Sequence, residues 1–89
     1  MDIVLYTSAF CAPCTAARRA VAEVERLVPV VTTRERDVAA HPESAEADSI
    51  RATPTLLLRS PSGREVFRAE GAPRVNQLLT AVALHIDDA

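Results

Sequence analysis

The hydrophobic positions of this chain follow two rhythms, short unbroken runs and helical spacings of three and four, and the two alternate along it. Ile3-Val4-Leu5-Tyr6-Thr7 is a continuous apolar and β-branched run, the pattern of a central strand buried on both faces. After Cys14, residues Ala17, Val21, Val24 and Val28 recur at spacings of 3, 4, 3 and 4, while Arg18, Arg19, Glu23 and Arg26 lie off that line. This predicts an amphipathic helix of about four turns, opened at Cys11 and ended by Pro29. Val30-Val31-Thr32-Thr33 reads as a second strand that gains charge towards Arg36, as an edge strand does. A shorter helix is expected from Pro42, with His41 at the cap and Glu43 and Glu46 near the positive end of the dipole.

Thr55-Leu56-Leu57-Leu58 and Glu65-Val66-Phe67-Arg68 predict two more strands, and the turn residues Ser60-Pro61-Ser62-Gly63 between them predict a hairpin. Pro73 is expected to open a last helix whose apolar set is Val75, Leu78, Leu79, Val82 and Ile86, with Asp87-Asp88-Ala89 as a frayed tail. The order β-α-β-α-β-β-α requires a parallel crossover first and an antiparallel hairpin later. The expected fold class is therefore α/β, a three-layer α/β/α arrangement around a four-stranded mixed sheet.

Composition sharpens this picture in three ways. With 89 residues the chain has material for one core, so residues 1–89 are expected to form one domain. Of the 48% hydrophobic residues sixteen are alanine, and with two Phe, one Tyr and no Trp the core must come from Val, Leu and Ile. The net charge is −2, and all ten cationic residues are arginine, a balance that excludes a strongly basic nucleic-acid footprint. No run approaches the ~20 apolar residues of a membrane span, and Met1-Asp2-Ile3 lacks the basic start of a signal peptide. A cytoplasmic protein without nucleic-acid or membrane partners, and monomeric, is the expectation.

Two cysteines, Cys11 and Cys14, are too few for a secreted disulfide scaffold, and a close pair in a reducing compartment is usually redox-active or metal-binding. Their place at a strand-to-helix junction favours the first. Free backbone N–H groups and the helix dipole at the first turn stabilise a thiolate, which makes Cys11 the candidate nucleophile. Cys14, one turn on and along the apolar stripe, is placed to resolve a mixed disulfide and close a Cys11–Cys14 bond. Pro13 suits a first helical turn, where its missing donor costs nothing. Zinc is the alternative, but it needs four ligands and only His41 and His85 remain, so no metal site is expected.

The cysteine motif, Ile50-Arg51-Ala52-Thr53-Pro54-Thr55-Leu56-Leu57-Leu58, and the stretch from Ser62-Gly63 to Glu70-Gly71-Ala72 together resemble the thioredoxin family, over nearly the whole chain from Ile3 to about Ile86. The resemblance implies that Thr53–Pro54 is cis and packs beside the disulfide, freeing the Thr53 backbone to pair with an extended substrate; a trans proline opening a strand is the alternative. It further implies a substrate groove that includes Phe10, Ala12, Pro13, Thr53, Pro54, Gly71 and Ala72. Gly71 would permit close backbone approach, unless it is a turn residue alone, and Phe10 would form an apolar rim, unless it is a core residue.

The sequence also departs from the family. It starts at the strand before the active site, which makes it resemble a minimal, glutaredoxin-sized version. Leu5 stands where thioredoxins bury an aspartate, and neither Glu25 nor His41 is assigned as a replacement proton acceptor. Tyr6-Thr7 is similar to glutaredoxins, yet Ala52-Thr53-Pro54 and Gly71-Ala72-Pro73-Arg74 lack their glutathione-binding pattern. Ala12-Pro13 resembles the Gly-Pro of thioredoxins and implies a potential at the reducing end. The expected function is reduction of protein disulfides by dithiol exchange, fed by a reductase or a low-molecular-weight thiol and using no cofactor beyond the Cys11–Cys14 couple. The alternatives are a glutaredoxin-like electron donor to a reductive enzyme and a non-catalytic redox-sensing or metal-holding module. Arg18 and Arg19 are expected to be solvated helix residues.

Overall fold

The computed structural model describes residues 1–88; Ala89, part of the expected tail, lies outside the described residues. The elements are β1 (Asp2–Thr7), α1 (Ala12–Leu27), β2 (Thr32–Asp37), α2 (Pro42–Ala47), β3 (Thr55–Arg59), β4 (Glu65–Glu70) and α3 (Val75–His85), in the expected order. The strands form one sheet in the order β2-β1-β3-β4, with β1 parallel to β2 and β3 antiparallel to both β1 and β4. Among the described residues, no helix is long and apolar enough to cross a membrane.

Because β1 and β3 are central and apolar through their middles, each feeds two layers. Ile3 and Leu5 of β1 and Leu56 and Leu58 of β3 face Ala17, Ala20, Val21 and Val24 of α1 and Leu78, Ala81 and Val82 of α3. Each fully buried Leu or Ile contributes roughly 1.5–3 kcal/mol. Ala17, Ala20 and Ala81 lie where helix meets sheet, and their small side chains let the backbones approach closely. Val4, Tyr6 and Leu57 point the other way, against Ala45 of α2 with Val38 and Ile50 at the margin. This second layer is thin, since α2 has only six residues.

Four local expectations are corrected. β2 begins at Thr32 rather than Val30, because Val28–Val31 closes a turn through Val31 N–H donating to Val28 C=O at 3.0 Å. Val31 is still buried there, while Val30 is exposed. α3 begins at Val75 rather than Pro73, because the Gln77 side chain accepts from Arg74 N–H at 3.0 Å and fixes Arg74 as the cap. Ile86 is accordingly the C-cap and is exposed, and Ala81 takes its share of the core. Glu46 lies next to the last residue of the short α2, away from its positive end, and His41 occupies the cap position without a side-chain capping bond. Asp88 is tied down by Arg64 at 3.1 Å and by His85 at 2.8 Å, so it is not frayed.

Candidate active site

The turn from β1 into α1 holds both sulfurs. Thr7 ends the strand, Phe10 adopts the left-handed conformation at φ 56°, and Cys11 is the extended N-cap of α1. Phe10 therefore breaks the strand direction at a cost of roughly 1–2 kcal/mol and stands fully exposed beside the motif. Cys14 N–H donates to Cys11 C=O at 3.2 Å, and Pro13 lies in the first turn, where α1 has spare donors. The two sulfurs are joined as a disulfide with a Cα–Cα distance of 5.3 Å. They are not equivalent: Cys11 is half-buried at the surface, whereas Cys14 is 0% exposed and continues the buried stripe of Ala17, Val21 and Val24.

A second loop is fastened beside this turn. The Thr53–Pro54 peptide bond is cis. The Ser8 and Thr53 hydroxyls are hydrogen-bonded at 2.6 Å, joining the residue after β1 to the residue before the proline. Thr55 Oγ1 donates to Ala52 C=O at 2.6 Å and closes the loop from its other end. Gly71 N–H then donates to Pro54 C=O at 2.8 Å, which brings in the loop after β4. Gly71 has φ +90°, a conformation that glycine takes without strain. Pro54 is buried, Thr53 and Gly71 are half-buried, and Ala12, Pro13 and Ala72 are exposed. Hydrogen bonds thus link the cysteine turn, the proline loop and the Gly71 loop. Among the described residues, no such bond places Phe10, Ala12 or Ala72 against the others.

Sequence reasoning did not single out Ser8 or Thr55, since isolated hydroxyl residues beside strands carry no periodic pattern. It also missed a polar cluster next to Leu5. Leu5 is buried and pairs in register with Glu35 of β2. Glu35 accepts from Thr7 Oγ1 at 3.1 Å and from Arg18 Nε at 2.9 Å, Arg18 lying one turn beyond Cys14 on α1. The Arg18 bond holds the Glu35 carboxyl below its ordinary range, against the opposing effect of burial and with help from Thr7. Glu25 accepts from the Thr33 hydroxyl, and His41 is exposed at the N-cap position of α2. Arg18 and Arg19 are both exposed, as expected, and Arg18 is in addition ion-paired with Glu35.

The sequence matches no family profile and no characterised protein sequence. The fold does match solved structures. A thioredoxin of Fasciola hepatica is 27% identical, with a TM-score of 0.80 over 94% of this chain and 79% of that one. Thioredoxin 1 of Thermosipho africanus is 14% identical, with a TM-score of 0.84 over 98% and 96% of the two chains. Mitochondrial thioredoxin 3 of Saccharomyces cerevisiae, in its oxidised form, is 21% identical with a TM-score of 0.80 over 92% and 76%. The pair spaced Cys-x-x-Cys at the start of α1 fits these neighbours and supports a role of the thiol-disulfide oxidoreductase kind. In fold and in the placing of its disulfide, this chain is a thioredoxin-like protein.

Proposed function

We propose that the protein reduces protein disulfides by dithiol exchange, with Cys11 as nucleophile and Cys14 as resolving thiol. The observation that carries this reading is the unequal exposure of the two sulfurs at the first turn of one helix. A thiolate at Cys11 is favoured by the free N–H groups and dipole of α1, and it is the sulfur a partner can reach. It attacks one sulfur of the substrate disulfide, forms a mixed disulfide and expels the other sulfur as a thiolate. Cys14, as thiolate, attacks the Cys11 sulfur, releases the second substrate thiolate and closes the Cys11–Cys14 bond. Two electrons pass from the dithiol to the substrate, and the two expelled thiolates take up the protons. A reductase or a small thiol must return two electrons to the pair before the next cycle.

Substrate backbone is taken as an added strand along Thr53, with Pro54, Gly71, Ala72, Ala12 and Pro13 around the sulfurs and Phe10 as an apolar edge. A cytoplasmic setting accords with this chemistry, because the dithiol form is kept available where small thiols are reduced. The experiment is insulin reduction with a dithiol donor, together with trapping by Cys14→Ser. Wild type should turn over, Cys14→Ser should accumulate a mixed disulfide, and Cys11→Ser should do neither. Absence of turnover with every donor refutes the reading, as does trapping by Cys11→Ser alone. The potential measured against glutathione should lie at the reducing end, and a value near about −120 mV, the range of strong oxidants, contradicts it.

A further inference from the structure

The face of the sheet beneath α2 carries a second cluster of functional side chains, at the end remote from the cysteines. Asp2, Val4, Arg34, Arg36 and Arg59 line a pocket of about 250 Å³ there. The register explains why they meet. Arg34 and Arg36 of β2 stand opposite Val4 and Tyr6 of β1, and Arg59 of β3 stands opposite Asp2. Four residues of β1 lie between Asp2 and Thr7, which are roughly 17 Å apart along the strand, so the pocket is centred on the end of β1 away from the disulfide, with Arg36, opposite Tyr6, as its lining residue nearest the other end.

The aliphatic stems of these arginines have a structural use beside Val4, a buried residue that lines the same pocket. Their charged heads are not accounted for in that way. Arg59 Nη2 donates to Asp48 at 2.8 Å, but Arg36 donates only to the Tyr6 hydroxyl, at 3.2 Å, over whose ring it also lies. Arg34 is exposed and has no hydrogen-bond or ion-pair partner among the described residues. This occurs in a chain where twelve acidic residues outnumber ten arginines, so carboxylates are not scarce. Arg34 and Arg36, two residues apart on β2, lie on the same side of the strand and line the same pocket, so their positive charges add there. Asp2 accepts from the Thr32 hydroxyl and forms no ion pair with Arg34, Arg36 or Arg59 among the described residues. The lining residues carry three positive charges and one negative, and the neighbouring Asp48 carboxylate is taken up by Arg59.

We infer that Arg34, Arg36 and Arg59 form a binding site for a compact phosphorylated small molecule. Guanidinium forks match phosphate oxygens in pairs, and the pocket lies below the roughly 300–1,000 Å³ of sites for drug-sized ligands, which limits the occupant to a small, strongly charged group. Inorganic diphosphate is the probe. Titrated into the 15N-labelled full chain at low ionic strength, it should bind saturably and shift the amides of residues 2–4, 34–36 and 59 while leaving Cys11 and Cys14 unmoved. R34Q/R36Q, which keeps most of each stem, should weaken binding by at least about tenfold. R19Q/R74Q removes the same charge elsewhere and should change affinity by less than about twofold, as distant charges are screened. Sulfate should bind more weakly than diphosphate. The inference fails if binding does not saturate, if the shifts map to another surface, or if the two double variants lose affinity equally. The wild-type shift map decides the matter even if R34Q/R36Q does not fold.

Discussion

Asp48 is the polar centre of the thin layer beneath α2, and its removal gives a sharp test of how that layer is held. Its Oδ2 accepts from the Tyr6 hydroxyl at 2.6 Å and its Oδ1 from Arg59 at 2.8 Å. Asp48→Ala leaves these two donors in very different positions. Tyr6 has no exposed surface, so its hydroxyl proton loses its acceptor and gains no water, a cost of about 1–3 kcal/mol. The Arg59 side chain is 29% exposed and can turn to solvent, so its loss adds less than about 1 kcal/mol. The expected destabilisation is about 1–4 kcal/mol, or a fall in Tm of roughly 5–25 °C for a chain of this size. Urea unfolding of wild type, D48A, Y6F and Y6F/D48A completes a double-mutant cycle. In the Y6F background D48A should cost at least about 1 kcal/mol less, because no hydroxyl is stranded. An equal cost in both backgrounds refutes the reasoning.

The same residue sets a pH dependence. Burial pushes the Asp48 carboxyl up, but hydrogen bonds from Tyr6 and Arg59 outweigh it and the carboxyl lies below its ordinary range when folded. Its contribution is therefore complete above the unfolded value of about 3.9 and is lost as pH falls through the lower folded value. The stability gap between wild type and D48A should narrow on acidification below about pH 4.

Three further outcomes are expected. Ser8→Ala removes the bond to Thr53, should cost about 1 kcal/mol, and should raise KM for a protein disulfide with little change in kcat; an unchanged KM contradicts the fastening role. Gly71→Ala meets no atom within 4 Å of the new Cβ, so its expected cost of about 1–2 kcal/mol is backbone strain alone, and Gly71→Asn should cost less by urea unfolding. Glu35→Gln breaks a pair whose side chains are 46% and 43% exposed, so it should cost less than about 1 kcal/mol, and a loss above about 2 kcal/mol shows that the cluster beside Leu5 matters more than its exposure implies.

The parts of this molecule that were legible beforehand are those written in periodicity and in turn chemistry. The run Ile3–Thr7, the stripe from Cys14 to Val24 and the Ser60–Gly63 turn each permit one local structure, and together they order the sheet. Where boundaries moved, a single hydrogen bond had moved them: Gln77 to Arg74 delayed α3, and Val31 to Val28 delayed β2. The cysteines were visible as chemistry because their spacing and context coincide. Ser8, Thr7, Glu35 and Asp48 were not, since their roles arise from partners 45, 28 and 42 residues away, and no local pattern encodes such a pairing.

The concealment of Cys14 has a practical corollary for anyone counting thiols. With Cys11 at the surface and Cys14 sealed under α1's packed side, a bulky maleimide should add one label to each folded, reduced chain and two to each unfolded one. Mass spectrometry of the labelled protein then reads the folded fraction directly, with no spectroscopic probe, in a chain that has no tryptophan to fluoresce.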